Sequence, residues 1–236
     1  MRQVVRERAV DVILKRARDL LRHASRPTRT VRDRLPGEGD FDLDLTLEQP
    51  RPWQAEDLVL TRTEPREADV VMVLDMSLSM TGEKVALTAL SAAILRLKLD
   101  ALCVVAFDTV PHVLVRIGES VPVRELVRRV LEVPAQGYTN IEAGLRAALK
   151  ELNRSVRRER VAVLMSDGIY NVGWDPVRVA PLFPRLHVVQ VGQEERQGTR
   201  TCQKLSAAGR GRLYRAQAYA DLPKVVRRLV REVFGA

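Results

Sequence analysis

From residue 69 onward the chain alternates short apolar runs with amphipathic stretches, and few folds accommodate that pattern. The runs "VVMVL", "ALCVVAF", "VAVLM" and "LHVVQVG" are separated by "EKVALTALSAAILRL", "PVRELVRRVLEV" and "IEAGLRAALKELNRS". Continuous apolar runs of this length are buried on both sides, and amphipathic helices between them supply the cover. The expectation is an α/β fold with a mostly parallel sheet and helices on both faces. "PHVLVRIG" follows "ALCVVAF" too soon for a helical crossover, so it is expected as an antiparallel partner at the sheet edge. "GRLYRAQ" offers a last strand, and "DLPKVVRRLVREVF" a closing amphipathic helix.

With 236 residues, 46% hydrophobic and 29% charged, the chain is long enough to bury a substantial core. No apolar run reaches bilayer length, and "MRQVVRERAVDVILKRARDL" lacks the uninterrupted apolar centre of a secretory signal. A cytoplasmic protein without a transmembrane segment is expected. Cys103 and Cys202 are far apart and belong to no CxxC, so both are expected as reduced thiols. The net charge of +9 is uneven: an arginine-rich N-terminal stretch is followed directly by the acidic "GEGDFDLDLTLEQ". Aromatic residues make up 4% of the chain, too few to favour single-strand recognition by base stacking.

Ahead of residue 69 the pattern is less regular. Val5, Ala9, Val12, Ile13, Ala17, Leu20, Leu21 and Ala24 recur at helical spacing. Their face can pack on the main domain, dock a partner helix or lie on an anionic membrane surface. "RPTRTVRDRLPGEGD", with two prolines and two glycines, reads as a linker. "FDLDLTLEQPRPWQAEDLVLTRTEPREAD" reads as extended chain or short strands bracing the main domain. Its "DLDLT" resembles the nucleophile motif of haloacid-dehalogenase-type phosphatases. That motif follows a hydrophobic strand, however, and here "RLPGEGDF" precedes it, so a solvated acidic segment is expected. The division is an extension over 1–66 and a main domain over 67–236.

The ends of the apolar runs carry the chemistry. In open parallel sheets, ligands bind beyond the carboxyl ends of the strands, where the strand order reverses. "VVMVLDMSLSM" ends in Asp75, Ser77 and Ser79; "AQGYTN" opens a helix with Thr139 and Asn140; "VAVLM" runs into Ser166, Asp167 and Gly168. Singly, Ser79 or Thr139 suits a helix N-cap and Asp167-Gly168 a turn. Together they offer two carboxylates and several hydroxyls, hard oxygen donors that suit Mg²⁺.

"DMSLSM", "GYTNIEAGL" and "MSDG" closely resemble the three parts of the metal-ion-dependent adhesion site of von Willebrand factor type A (VWA) domains. The resemblance covers roughly residues 69 to 220. It implies the Rossmann-like, doubly wound VWA fold and a bound Mg²⁺, with Mn²⁺ or Ca²⁺ as alternatives. It further implies Ser77, Ser79 and Thr139 as direct ligands, with Asp75 and Asp167 supplying negative charge through water. An ion held mainly by neutral oxygens keeps enough charge to accept an Asp or Glu carboxylate from a protein partner. Leu78 and Tyr138 stand where glycine is common in the family, and leucine resists a positive φ. Either the loop avoids that conformation or the metal is held more weakly.

No GxxxxGK[ST] and no GxSxG is present, and His23, His112 and His187 are widely separated. No nucleophile with a base is found, so a non-enzymatic role is expected. Trp174 follows the third motif and serves either as a loop anchor or as a partner contact beside the metal.

An N-terminal extension joined to one such domain resembles bacterial CoxE-like proteins, which are similar to partners of MoxR-class AAA+ ATPases. The resemblance implies a Mg²⁺-dependent protein-binding adaptor in protein remodelling or cofactor insertion. An RNA-binding VWA protein and a metal-dependent phosphohydrolase are the competing classes.

Overall fold

The computed structural model describes residues 2–21, 28–34, 37–48, 54, 58–65, 68–80, 82–99, 101–193, 195–221, 224–226, 228–229 and 231. Its centre is a six-stranded sheet built from β4 (Asp69–Asp75), β5 (Leu102–Phe107), β6 (Pro111–Val115), β7 (Arg160–Ser166), β8 (Leu186–Val191) and β9 (Leu213–Ala216). The strand order is β6-β5-β4-β7-β8-β9. All neighbours are parallel except β5 and β6, which form the expected antiparallel edge. After β4 the chain winds to β5 on one side, and later to β7, β8 and β9 on the other. The order therefore reverses between β4 and β7, and their carboxyl ends open the crevice.

Side chains alternate across the sheet with period two, so one strand feeds two cores. On one face Val70, Met72 and Leu74 pack with Leu87, Leu90 and Ile94 of α3 (Glu83–Lys98) and with Leu126, Val127 and Val130 of α4 (Val123–Glu132). On the other, Val71 and Val73 meet Ile141, Leu145 and Leu152 of α5 (Ile141–Leu152), together with Cys202 and Leu205 of α6 (Arg196–Ala208). Both cysteines are free and buried. Helix α5 lies especially close to the sheet. At Gly144 a Cβ would come 2.5 Å from the Phe107 ring, so no larger residue fits unless the ring or the helix shifts.

The N-terminal helix α1 (Arg2–Leu21) buries Val10, Ile13, Leu14 and Ala17 in the first of these cores, against α3 and α4. Arg124 on α4 pairs with Glu7 at 3.2 Å and also with Asp11. The buried stripe is offset from the periodic face read in the sequence, since Val5 and Val12 are exposed. Helix α1 carries apolar residues on several sides, and docking rather than local pattern selects among them.

The expected linker is corrected. Thr28–Arg34 forms a strand, β1, paired along its whole length with the antiparallel β3 (Val59–Pro65), which also pairs with the two-residue β2 (Asp40–Phe41). The alternating β-branched residues of "TRTVRDR" and "VLTRT" suit such pairing, but the partner lies about thirty residues away and no local signal reveals it. The bracing segment is corrected in part, because Leu43–Leu47 is a short helix, α2. Its cap is Asp42, whose side chain accepts from Leu45 N at 3.1 Å, so "DLDLT" opens a helix. Helix α6 was not anticipated, as "RQGTRTCQKLSAA" carries glycine and two threonines with weak helix propensity. The closing helix falls partly outside the described residues; within them, Val225, Val226 and Leu229 are helical and buried.

Candidate metal centre

Strand β4 delivers Asp75 to the crevice with no solvent exposure. A buried carboxylate needs partners, and its neighbours supply hydroxyls. Asp75 Oδ1 accepts from the Ser77 amide at 3.0 Å and from the Ser77 hydroxyl at 2.6 Å, while Oδ2 accepts from the Ser166 hydroxyl at 2.6 Å. Burial pushes the Asp75 carboxyl up to about 6 against the opposing effect of these bonds, and Asp167 adds a smaller upward push. The Ser77 and Ser79 hydroxyls are 3.2 Å apart. Once Asp75 is ionised it accepts a hydrogen bond from the Ser77 hydroxyl, so Ser79 is the donor in that pair. The Ser77 oxygen keeps its acceptor capacity.

Strand β7 delivers Ser166 and Asp167 on the other side of the crevice. The Ser166 hydroxyl also accepts from Gly168 N at 3.0 Å, which ties the end of β7 to the end of β4. Asp167 Oδ1 accepts from Ile169 N at 3.2 Å, and its Oδ2 receives the Lys84 ammonium at 3.0 Å.

The third element is the loop before α5. Leu78 N donates to Gly137 O at 3.4 Å, joining the first loop to the second. The Thr139 amide donates to Asn171 Oδ1 at 2.8 Å, and Asn171 N donates back to Thr139 O at 3.2 Å. Asn140 caps α5 by accepting from Ala143 N at 3.0 Å. Capping therefore falls to Asn140, and Thr139, itself 5% exposed, is held by its backbone at the crevice.

Leu78 and Tyr138 do not take a positive φ: among the described non-glycine residues only Arg210 does, and Gly137 carries the turn at +85°. The loop thus avoids the conformation that leucine resists. Leu78 and Tyr138 instead stand 66% and 62% exposed at the mouth. Trp174 is anchored by its backbone, since its amide donates to Glu142 Oε2 at 2.8 Å, but its side chain is 75% exposed. Packing of the indole on the domain is not what holds the loop.

The structure thus gathers Asp75, Ser77, Ser79 and Ser166 into one hydrogen-bonded cluster, sets Asp167 beside Lys84, and joins the Thr139 loop to both neighbouring loops. Lys84 and Asn171 escaped sequence reasoning. A lysine in the first turn of a helix, facing the positive end of the helix dipole, was the available signal for Lys84. Among the described residues no group of three or more His, Cys, Asp or Glu is placed to hold a metal ion. Any cation here would meet a hydroxyl-rich set with two carboxylates. The acceptor capacity left on Ser77 by its donation to Asp75 fits a hard divalent ion.

Among solved structures, an aerotolerance-related membrane protein from Bacteroides fragilis NCTC 9343 aligns with a TM-score of 0.60 at 16% identity, over 72% of this chain and 100% of that one. A von Willebrand factor type A protein from Catenulispora acidiphila aligns with a TM-score of 0.59 at 16% identity, over 89% of this chain and 50% of that one. Proximal thread matrix protein 1 from the mussel byssus, with a zinc-occupied MIDAS motif, gives 0.58 at 14% identity over 70% and 47%. At these identities the likeness is one of fold. No curated protein matches the sequence. No helix among the described residues is long and apolar enough to cross a membrane. The family model described as "VWA domain containing CoxE-like protein" matches residues 13–187, from within α1 to β8. The chain belongs to the CoxE-like family of VWA domain proteins.

Proposed function

We propose that this protein is a non-enzymatic, Mg²⁺-dependent protein-binding adaptor whose ligand-binding site is the crevice between β4 and β7. Ser77, Ser79 and Thr139 would hold the ion directly, with Asp75 and Asp167 contributing charge one shell out. When bound, the ion supplies positive charge that attracts an acidic side chain of the partner. The observation that carries this reading is the Ser77 hydroxyl, which commits its proton to a fully buried Asp75 at 2.6 Å and keeps an oxygen able to accept. Such a carboxylate orients a hydroxyl as a ligand without being a ligand itself.

The exposed Trp174, on a loop bonded to the Thr139 backbone, supports a contact with the protein that donates the carboxylate. Membership of the CoxE-like family favours a MoxR-class AAA+ ATPase as the working partner, in protein remodelling or cofactor insertion. The enzymatic reading has little support, since the two carboxylates are tied up by hydroxyls and a lysine.

The test is calorimetric titration of Mg²⁺ into the full chain and into Thr139→Ala, with partner capture from a lysate of the source cells run in Mg²⁺ and in EDTA. Saturable binding that Thr139→Ala weakens, together with a partner lost in EDTA, is the expected result. Undiminished capture in EDTA would sink the reading.

A further inference from the structure

Lys84 occupies a position that local energetics disfavour. It lies in the first turn of α3, where the helix presents the positive end of its dipole and carboxylates are the stabilising residues. Its side chain leaves that environment and reaches Asp167, 83 residues later in the chain, placing Nζ 3.0 Å from Oδ2. The route is shaped by β8. At Gly192, just past the end of that strand, a Cβ would come 2.6 Å from Lys84 Cε, so any side chain there would crowd the lysine stem. The Lys84 side chain is 28% exposed and the Asp167 side chain 5%.

Both Asp167 oxygens are therefore in use: Oδ1 by the Ile169 amide and Oδ2 by Lys84. A divalent ion drawing on Asp167, directly or through water, competes with the ammonium for the same oxygen. The charge count sharpens the point. Two carboxylates, one ammonium and one divalent ion sum to +1, whereas the site without Lys84 would sum to zero. A site with a resident cation admits a second one reluctantly, and once filled it favours an added anion.

We infer that Lys84 is a built-in competitor of the divalent ion at Asp167, setting metal affinity low and making an incoming carboxylate part of what retains the metal. The inference rests on the crevice being a metal site, as proposed above. Lys84 thus acts on the ion through Asp167 and through charge, as a positioning residue and not a ligand.

Calorimetric titration of Mn²⁺ into the full chain tests this, compared across wild type, Lys84→Met and Lys84→Arg, with the free Mn²⁺ signal in electron paramagnetic resonance as an independent readout. Lys84→Met keeps the stem and removes the charge, and it should tighten Mn²⁺ binding on the order of tenfold or more at low salt. Lys84→Arg should stay near wild type. Adding acetate should tighten Mn²⁺ binding in wild type more than in Lys84→Met, because the surplus charge that recruits the anion is gone. If Lys84→Met does not fold, Lys84→Gln makes the same comparison. Equal Mn²⁺ affinity in wild type and the neutral variants overturns this inference and leaves the metal site standing. Absence of Mn²⁺ binding in all of them overturns both.

Discussion

The two sides of the crevice solve the same problem differently. At the end of β4, Asp75 is fully buried and, among the described residues, receives only neutral donors, two hydroxyls and an amide. At the end of β7, Asp167 is nearly as buried but faces an ammonium. Hydroxyls satisfy hydrogen bonds without cancelling charge, so burial still pushes the Asp75 carboxyl up to about 6 against their opposing effect. The metal-free protein therefore holds one costly carboxylate and one compensated one, and a cation should act mainly on the first.

The largest expected effect separates the two carboxylates by pH. A carboxyl raised from 3.8 to about 6 in the folded state binds more protons folded than unfolded, so its contribution to stability is present below pH 4 and lost as pH rises to 6. In EDTA, Asp75→Asn should match wild type near pH 4 and exceed it above pH 6 by up to about 3 kcal/mol. His187 works in the opposite sense. Burial, aided by Arg185 and Arg212, lowers it from 6.5 to about 4, so stability is lost as pH falls through that window. The two slopes oppose each other in wild type. Chemical denaturation between pH 4 and 7 should find a shallow profile for wild type and a rising one for Asp75→Asn; parallel profiles would show that Asp75 is not strained by burial.

Next in size is the ion itself. At a free Mg²⁺ concentration ten times its dissociation constant, linkage stabilises the fold by about 1.4 kcal/mol. Melts with Mg²⁺ and with EDTA should show that difference in wild type and little of it in Thr139→Ala. Ser77→Ala should behave likewise, after an initial loss of about 1–3 kcal/mol from a buried Asp75 with one donor fewer.

A smaller effect is expected on the other side. Asp167→Asn leaves Lys84 without its counter-charge, but the part-exposed lysine stem can carry the ammonium out to water, so the cost in EDTA should be about 1 kcal/mol or less, shrinking as salt rises. A loss as large as that of Ser77→Ala would erase the contrast between the two sides. Smallest of all, Trp174→Ala should change stability by less than about 0.5 kcal/mol, because the backbone bond to Glu142 remains and the ring is exposed. A larger loss would return Trp174 to the role of loop anchor.

The sequence made legible those features whose causes are local. Apolar runs and amphipathic stretches are visible within ten or fifteen residues, and they anticipated β4 to β9 and α3 to α5. Ser77 and Asp167 could be picked out because a polar residue after an apolar run is itself a local contrast, and Thr139 because its loop opens a helix. What escaped depends on distant partners. Strand β1 needs β3, Asn171 holds a threonine 32 residues earlier, and Lys84 holds an aspartate 83 residues later. In α1 the face was misjudged for the same reason: Glu7 and Asp11 meet Arg124, and that docking buries Val10 and Leu14 while leaving Val12 outside.

The contact between Gly144 and the Phe107 ring has a bearing on how relatives of this chain are judged. Helix α5 carries Thr139 at its entrance, and its height above the sheet is set where a missing side chain lets the aromatic ring lie against the helix backbone. One added methyl group there would force the Phe107 ring or the helix to shift, with every residue of the three motifs still encoded. An intact motif inventory therefore leaves out a packing condition: a relative with a bulkier residue at this point would keep all three motifs in its sequence, yet the loop that carries Thr139 would rest on a differently packed helix.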